Sequence, residues 1–389
     1  MKYLIVGNGA AGTEAALAIR KADQESGIVL VTESRYLHYF RPKLVHFLAE
    51  DQEPSDLIVY DEEFYNKRKI YNILGRKIQR LDTDRRVAVD DLGAEHTWDR
   101  LLLATGSKPF VPPIPGVELE GVFTLRSITD AQKIKTFSRE IDRVVVIGGG
   151  LLGLENAYSL SQLGIKVEVV EFAPWLLPRQ LDEGGGKVLQ RLLEEKGLVF
   201  HLGEQVESMV GNSGRVGLVR FRSGKEVACQ AVLVSAGIRG DMDFLQGSGI
   251  ATNRGIVVDD RLQTNVPGIW AAGDVAEHRG TSYGLWTVAR EQGRIAGVNM
   301  AGGDEVYEGS LVSSLLKITG INVFSMGDVK ARGAETLTAE DGASYKKLVV
   351  DDDKALAAMV VGDKAAIQTA QKIMAGKLEP AEFEKHLNP

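Results

Sequence analysis

The chain has 389 residues, enough for two or three domains of ordinary size. It is 44% hydrophobic and 25% charged with a net charge of −7, a balance that suits several packed cores and argues against a nucleic-acid binder, because no basic stretch dominates. No apolar run approaches the roughly 20 residues of a membrane span, no signal-peptide pattern follows Met1, and the single cysteine, Cys229, excludes an intramolecular disulfide, a dithiol redox pair and a cysteine-held iron–sulfur cluster; a cytoplasmic location with no membrane partner is expected.

The first fifteen residues read MKYLIVGNGAAGTEA. A short apolar run over 3–6 is followed by Gly7, Gly9 and Gly12 in GxGxxG spacing. A helix-like stretch covers 13–21, and a second apolar strand over 28–32 ends at Glu33. Each glycine has its own reason. Gly7 lets the chain turn sharply, Gly9 lets backbone approach a pyrophosphate, and Gly12 lets the helix pack close to the strand, with the free N–H groups of the helix start facing phosphate charge. Glu33 lies 21 residues beyond Gly12, near the ~20 expected of an acid that accepts from ribose hydroxyls. The pattern predicts a dinucleotide site; the alternative is a glycine-rich turn in another α/β protein.

Residues 35–48, RYLHYFRPKLVHFL, place Pro42 at a helix start, where its missing N–H costs nothing. Arg41 and Lys43 flank it, either as a cationic pair reaching phosphates or a ring carbonyl, or as a solvated basic turn. Residues 57–70 look helical, two short strands follow with a turn at 90–93, and residues 98–104 form an apolar strand that ends at Thr105 and Gly106. The carboxyl end of such a strand is where ligands gather in a doubly wound sheet. The stretch KPFVPPIPG then reads as a stiff linker leaving a first domain.

The opening pattern returns after a helix over 127–139. The strand over 143–147 leads to Gly148, Gly150 and Gly153, again GxGxxG, with Glu155 two residues on. The next strand ends at Glu171, 18 residues after Gly153. A carboxylate there accepts from both hydroxyls of an unphosphorylated ribose and repels a 2′-phosphate, and Phe172, Ala173 and Pro174 supply no cation, so NADH is favoured over NADPH. A helix over 182–195 carries Gly184, Gly185 and Gly186 in its first turns, so either it starts later or a mobile turn lies there. Strands are expected at 198–202, 215–222 and 225–229. The strand over 231–235 runs into Ala236-Gly237, the counterpart of Ala104 to Gly106. Ala272-Gly273-Asp274 follows a further strand, and Asp274 reads equally as an acceptor from a sugar-type hydroxyl or as a helix N-cap. A helix covers 286–300. The tail from 307 reads as a small α+β domain, with strands at 321–329, 345–350 and 355–361 and a helix at 364–375. Cys229 reads as a small buried hydrophobe. The six histidines show no metal spacing, and no metal site is expected.

Gly7 to Gly12, Ala104 to Gly106, Gly148 to Glu155, Ala236-Gly237 and Ala272 to Asp274, in this order, make the chain resemble the two-dinucleotide-domain flavoproteins of the pyridine nucleotide–disulfide oxidoreductase superfamily over nearly its whole length. The resemblance implies two Rossmann-like three-layer α/β domains plus a small α+β C-terminal domain. It implies a discontinuous FAD domain (1–110 and 241–305), an inserted NADH domain (111–240) and a C-terminal interface domain (306–389). It implies FAD contacts at Gly7, Gly9, Gly12, Glu33, Thr105, Gly106 and Asp274, and NADH contacts at Gly148, Gly150, Gly153, Glu171 and Gly237. Disulfide-reducing members carry a CxxxxC pair near the flavin; here Tyr39-Phe40-Arg41-Pro42-Lys43-Leu44 stands in that region. That is similar to the cysteine-free group of NADH:rubredoxin reductases, ferredoxin reductases of oxygenase systems and the flavin part of nitrite reductases. In that group the arginine before the proline meets the FAD pyrophosphate, a role carried to Arg41. A nearby basic residue approaches the flavin, a role carried to Lys43. Glu155 is the candidate beside the nicotinamide, its alternative being a solvent-facing helix acid. The expected activity is hydride transfer from NADH to flavin N5, with electrons passed directly to a small electron-carrier protein of rubredoxin type. Peroxide-forming NADH oxidation, or a non-catalytic flavin subunit in a larger complex such as a nitrite reductase, are the alternatives. A monomer or homodimer is expected.

Overall fold

The computed structural model describes residues 1–311, 313–318, 320–331 and 335–387. The chain forms two compact units. The first comprises Met1–Leu44, Asp51–Phe110 and Ile238–Ser310; the second comprises Val45–Glu50, Val111–Gly237 and Leu311–Pro389. Of the tail expected as one α+β domain over 306–389, residues 312, 319, 332–334, 388 and 389 lie outside the described residues.

The first unit is built on a five-stranded parallel sheet in the order Ile269–Ala271, Arg100–Leu103, Lys2–Val6, Gly27–Thr32, Ile70–Leu74. Its central strand, KYLIV, is apolar on both sides because a parallel sheet is covered on both faces; Tyr3 to Val6 are all buried. The helices Ala10–Ala22 and Trp286–Met300 pack closely along a strip of small residues. A Cβ on Gly293 would lie 2.2 Å from the Ala11 carbonyl oxygen, and one on Gly297 2.5 Å from that of Ala15. An antiparallel trio, Ile78–Asp82, Val87–Asp90 and Glu95–Thr97, adds Ile78, Leu81 and Ala88 to the same core. Asp90 anchors the trio's turn, accepting from Arg76 and His96 and from the Leu92 and Ala94 amides. These bonds outweigh burial, which acts in the opposite sense, and hold its carboxyl far below the ordinary range.

The helix expected over 57–70 is shorter. A 3₁₀ turn covers Pro54–Leu57, and the helix is Glu62–Asn66, started by Asp61, whose carboxylate accepts from the Phe64 amide at 2.7 Å. Between them the chain is extended, because Ile58 bridges Tyr39 and the Val59 amide donates to the His38 carbonyl. The proline-rich exit begins as a strand, Ser107–Pro109, paired antiparallel with the returning Ile238–Gly240.

The second unit repeats the parallel sheet: Val199–Leu202, Lys166–Glu171, Arg143–Ile147, Ala231–Val234, Val122–Phe123. An antiparallel trio accompanies it, of which Val206–Asn212 is a strand the pattern did not signal. Cys229 is buried in that core, 3% exposed, and burial pushes its thiol up to about 12, as expected of a small hydrophobe rather than a nucleophile. The C-terminal part is a five-stranded antiparallel sheet in the order Ser313–Ile318, Ile321–Gly327, Lys354–Val361, Tyr345–Asp351, Glu335–Glu340. Its two edge strands, short and rich in polar residues, are the two that sequence pattern missed. The helix Lys364–Met374 lays Ala366, Ile367, Ala370 and Ile373 against Phe324, Leu348 and Val360.

Gly184, Gly185 and Gly186 neither delay the helix nor form a loop. The helix runs Glu183–Glu194, capped by Asp182. The glycines are there because side chains lie on them: a Cβ on Gly184 would meet the Tyr345 ring at 2.9 Å, and one on Gly186 would meet Trp175 at 2.7 Å. Among the described residues no helix is long and apolar enough to cross a membrane.

Candidate dinucleotide sites

In the first unit the turn after Lys2–Val6 is as tight as its glycines demand. Gly7 has φ +108°, and a Cβ on it would lie 2.1 Å from the Ala104 carbonyl oxygen. A Cβ on Gly12 would lie 1.9 Å from the Gly7 carbonyl oxygen, so helix and turn are in backbone contact. Gly9 differs: nothing lies within 4 Å of its Cβ position, and it caps the helix with no side-chain hydrogen bond. No acidic residue stands in the helix's first turn. The result is a helix N-terminus with open space at Gly9 and no acid in its first turn, which fits a pyrophosphate.

Thr105, Gly106 and Asp274 are brought to the same end of the sheet. Gly106 has φ +74°. The Thr105 hydroxyl donates to the Asp241 carbonyl at 2.9 Å, so the side chain ties down the returning chain. Asp274 follows Ile269–Ala271 and accepts from the Ser107 hydroxyl at 2.9 Å. The N-cap alternative for Asp274 fails, because the strand Ala276–His278 follows it and the helix starts only at Trp286, capped by Leu285. Glu33 follows the second strand, exposed, with Lys77 at 3.4 Å. Arg41 and Lys43 form a 3₁₀ turn with Pro42, as the proline predicts, and the Arg41 guanidinium lies over the Tyr39 ring at 5.5 Å.

One residue here escaped sequence reading. His38 is buried, its ring stacked on Trp286 at 5.2 Å, and its Nδ1 lies 3.2 Å from the Asn8 carbonyl inside the glycine turn. Burial and the nearby charges of Arg41 and Arg290 push its pKa down to about 4, so at neutral pH it is uncharged and Nδ1–H donates to Asn8. The signal was the aromatic run from Tyr36 to Phe40, which marks a packed segment rather than a surface turn.

The second unit repeats the cradle. A Cβ on Gly148 (φ +116°) would lie 2.4 Å from the Ser235 carbonyl oxygen, and one on Gly153 would lie 1.9 Å from that of Gly148. Gly150 caps the Leu151–Ser161 helix with nothing within 4 Å of its Cβ position and no acid in the first turn. Gly237, φ +110°, closes the parallel loop with open space at its Cβ. Glu171 stands at the end of Lys166–Glu171, its carboxylate accepting from the Gly149 amide and the Ala173 amide, each at 2.7 Å. Phe172 beside it is exposed, and neither it nor Ala173 and Pro174 supplies a cation. Glu155 lies in the fingerprint helix, half-buried, and burial alone pushes its carboxyl up to about 7, so it is not a solvated helix acid. Among the described residues no group of three or more His, Cys, Asp or Glu is placed to hold a metal ion.

Residues 1–293 match the family described as pyridine nucleotide-disulphide oxidoreductase. The chain belongs to that family. Residues 313–378 match the rubredoxin NAD+ reductase C-terminal domain. The chain is 37% identical over 370 residues to a nitrite reductase [NAD(P)H] of Bacillus subtilis, covering 94% of this chain and 46% of that one. It is 30% identical over 366 residues to an NADH-rubredoxin oxidoreductase of Clostridium acetobutylicum, covering 93% and 91%. The crystal structure of NADH:rubredoxin oxidoreductase from the same organism superposes with a TM-score of 0.83 at 27% identity, covering 97% and 96%. The chain thus spans about half the length of some relatives, the nitrite reductase among them, and nearly all of others. Membership makes oxidoreduction its class of chemistry, with FAD and NADH as cofactors.

Proposed function

We propose that this chain takes electrons from NADH through bound FAD and passes them directly to a small electron-carrier protein of rubredoxin type, with no cysteine relay. The observation that carries the reading is the pair of complete cradles in a chain whose one thiol, Cys229, is 3% exposed and unreactive. The match of residues 313–378 to a rubredoxin reductase C-terminal domain supports the choice of carrier.

In this reading the FAD domain is 1–110 with 241–305, the NADH domain is 111–240, and 306–389 is the interface domain. Gly7, Gly9 and Gly12 hold the FAD pyrophosphate with help from Arg41, Glu33 accepts from its ribose, and Thr105, Gly106 and Asp274 hold the rest of the chain, Asp274 at a sugar-alcohol hydroxyl. Gly148, Gly150, Gly153 and Gly237 hold NADH, and Glu171 reads its ribose. When bound, the two cofactors supply hydride delivery, hydride acceptance and release of electrons. The protein binds and orients them. Lys43 and the N-terminus of the Trp286 helix stabilise negative charge at the flavin's pyrimidine end. Glu155 presents a carboxyl that is near half-protonated at neutral pH beside the nicotinamide.

A second reading has its own support. The likeness to a nitrite reductase twice this chain's length fits an electron-input module serving a larger assembly. Anaerobic reduction of the FAD-loaded protein by NADH and by NADPH, followed by addition of rubredoxin, ferredoxin, oxygen or a nitrite reductase partner, separates the readings. Fast reduction by NADH with electrons held until rubredoxin is added is expected. Preference for NADPH would overturn the role of Glu171; rapid discharge to oxygen or only to a nitrite reductase partner would overturn the choice of carrier.

A further inference from the structure

The three glycines at 184–186 place the C-terminal sheet against the loop that bears Glu171. That loop, residues 172–182, leaves the strand Lys166–Glu171 and ends at the helix Glu183–Glu194. Its near end is held by Glu171 itself, whose carboxylate bonds the Gly149 and Ala173 amides. Its middle is held by Leu177, fully buried at φ +53°, whose amide donates to the Gly149 carbonyl at 3.2 Å. The same glycine of the second fingerprint is therefore bonded through its N–H to the ribose-reading acid and through its carbonyl to the loop.

The far end is held from outside the parallel-sheet domain. Asp182 uses one carboxylate oxygen to cap the helix, accepting from the Gly185 amide at 3.1 Å. The other oxygen accepts from the Tyr345 hydroxyl and from the Lys347 ammonium, each at 2.7 Å. Both residues belong to the strand Tyr345–Asp351 of the C-terminal sheet. The Tyr345 ring lies on Gly184 and Gly185, while Trp175, from inside the loop, lies on Gly186 and donates its indole N–H to the Leu181 carbonyl at 3.1 Å. Side chains at any of the three positions would lift either the tyrosine or the tryptophan. Three consecutive glycines in a helix cost about 1 kcal/mol each relative to alanine, so the sequence gives up helix stability to keep this contact. Burial raises the Asp182 carboxyl, but the bonds from Lys347, Gly185 and Tyr345 outweigh it and hold the group ionised and able to accept all three.

We propose that Tyr345 and Asp182 are positioning residues for Glu171: through the 172–182 loop, the C-terminal sheet sets how firmly the ribose-reading carboxylate is held and hence the preference for NADH. This rests on the reading of Glu171 as the ribose acceptor. Tyr345 touches no nucleotide in this scheme; it fixes the loop's far end so that the loop's near end keeps Glu171 aimed.

The test uses the full FAD-loaded chain and the variants Tyr345→Phe, which keeps the ring on the glycines and removes only the hydroxyl, and Asp182→Asn, which keeps the cap and weakens both partner bonds. Amide hydrogen exchange in the absence of nucleotide reads the loop directly. Exchange over residues 173–181 is expected to speed up several-fold in both variants, while the sheet strands of the same unit keep their protection. Titration with NADH and NADPH then reads the consequence. The NADH dissociation constant is expected to rise 3- to 10-fold with little change for NADPH, and the double variant is expected to do no worse than Asp182→Asn alone. Unchanged loop exchange in both variants overturns the proposal whatever the nucleotide affinities are. Faster loop exchange with an unchanged ratio of NADH to NADPH affinity also overturns it. Failure of the unaltered chain to bind NADH overturns the reading beneath it instead, and the exchange result stands apart from that. If either variant folds poorly, Lys347→Met with a matched melting temperature provides the same comparison, with the same two overturning results.

Discussion

At Gly7-Asn8-Gly9 and at Gly148-Gly149-Gly150 the backbone does the same thing to within a few tenths of an ångström. The third glycine of each motif would put a Cβ 1.9 Å from the first one's carbonyl, and the middle one of the spacing, Gly9 or Gly150, opens onto empty space. The surroundings differ. Asn8 donates to the Tyr36 carbonyl and accepts from His38, so the first turn is braced by the 36–38 segment. Gly149 has no side chain and is braced by Glu171 and Leu177. Two residues after the third glycine, Glu14 is paired with Arg290 at 2.5 Å, whereas Glu155 has no hydrogen bond or ion pair among the described residues and titrates near 7. Sterics fix the skeleton, and the neighbouring side chains decide what each skeleton serves.

The largest effect comes from the closed positions. Gly12→Ala and Gly153→Ala each force backbone apart, which is expected to cost about 4 kcal/mol or more. Gly12→Ala should yield little FAD-loaded protein, while Gly153→Ala should keep flavin absorbance and lose NADH binding; equal loss of both cofactors in both variants would break the division of labour. Asp274→Ala probes the acid that follows the edge strand Ile269–Ala271 of the first unit. It should leave little bound FAD after purification, and full retention would remove Asp274 from the site.

His38 offers the next contrast, since among the described residues no histidine hydrogen-bonds the second turn. Its folded pKa is about 4 against an ordinary 6.5, so as pH falls the unfolded chain takes up a proton that the folded chain refuses. The stability present above pH 6.5 is therefore lost between 6.5 and 4, up to about 3 kcal/mol over the window. Denaturant melts from pH 7 to 4.5 should show that loss, and His38→Gln should flatten it; an identical pH profile in the variant would contradict the assignment.

The open positions come next. Gly9→Ala and Gly150→Ala meet no atom within 4 Å and have ordinary φ values of −71° and −79°, so melting temperatures should move by only a few degrees. Affinity for FAD or for NADH, respectively, should still fall about tenfold, a matter of ~1.4 kcal/mol, because the methyl stands where phosphate approaches. Unchanged affinity in titration calorimetry would show that these two positions are not the phosphate sites. The smallest effect is expected at Glu155. NADH affinity should change two- to fivefold around pH 7, and Glu155→Gln should abolish that inflection; its persistence would assign the titration to another group.

What could be read from the chain beforehand followed from range. Glycine spacing reports sterics within a dozen residues, so both turns and both helix starts are legible, while the acids Glu33 and Glu171 stand out only because each closes the next apolar strand, 21 and 18 residues beyond its third glycine. Arg41-Pro42-Lys43 was visible for the same reason, since proline fixes its own turn. Features that depend on distant partners were not. His38 shows no metal spacing in the sequence and reads as either a surface or a hydrogen-bonded histidine, until Trp286 stacks on it and decides for the second. The glycines at 184–186 look like a broken helix until Tyr345 arrives from 160 residues away. The helix anticipated over 57–70 shrinks to the five residues Glu62–Asn66, because Ile58 bridges Tyr39. Asp274 is ambiguous in sequence because a helix follows it, and only the intervening strand Ala276–His278 shows that the helix starts too far along the chain, at Trp286, for Asp274 to cap it.

The seam between the helices Ala10–Ala22 and Trp286–Met300 also joins parts of the chain that are made far apart in time. The strand Lys2–Val6 and the first glycine turn are made long before the helix that covers them and the edge strand Ile269–Ala271, which residues 301–389 follow in turn. Contacts of this sequence separation form slowly, because the intervening chain must be closed into a loop first. The segment in between, 111–237, has a sheet of its own and can condense during that delay, shortening the loop that remains to be closed. Condensing that segment first lowers the loop-closure cost of the sheet whose strands lie on either side of it.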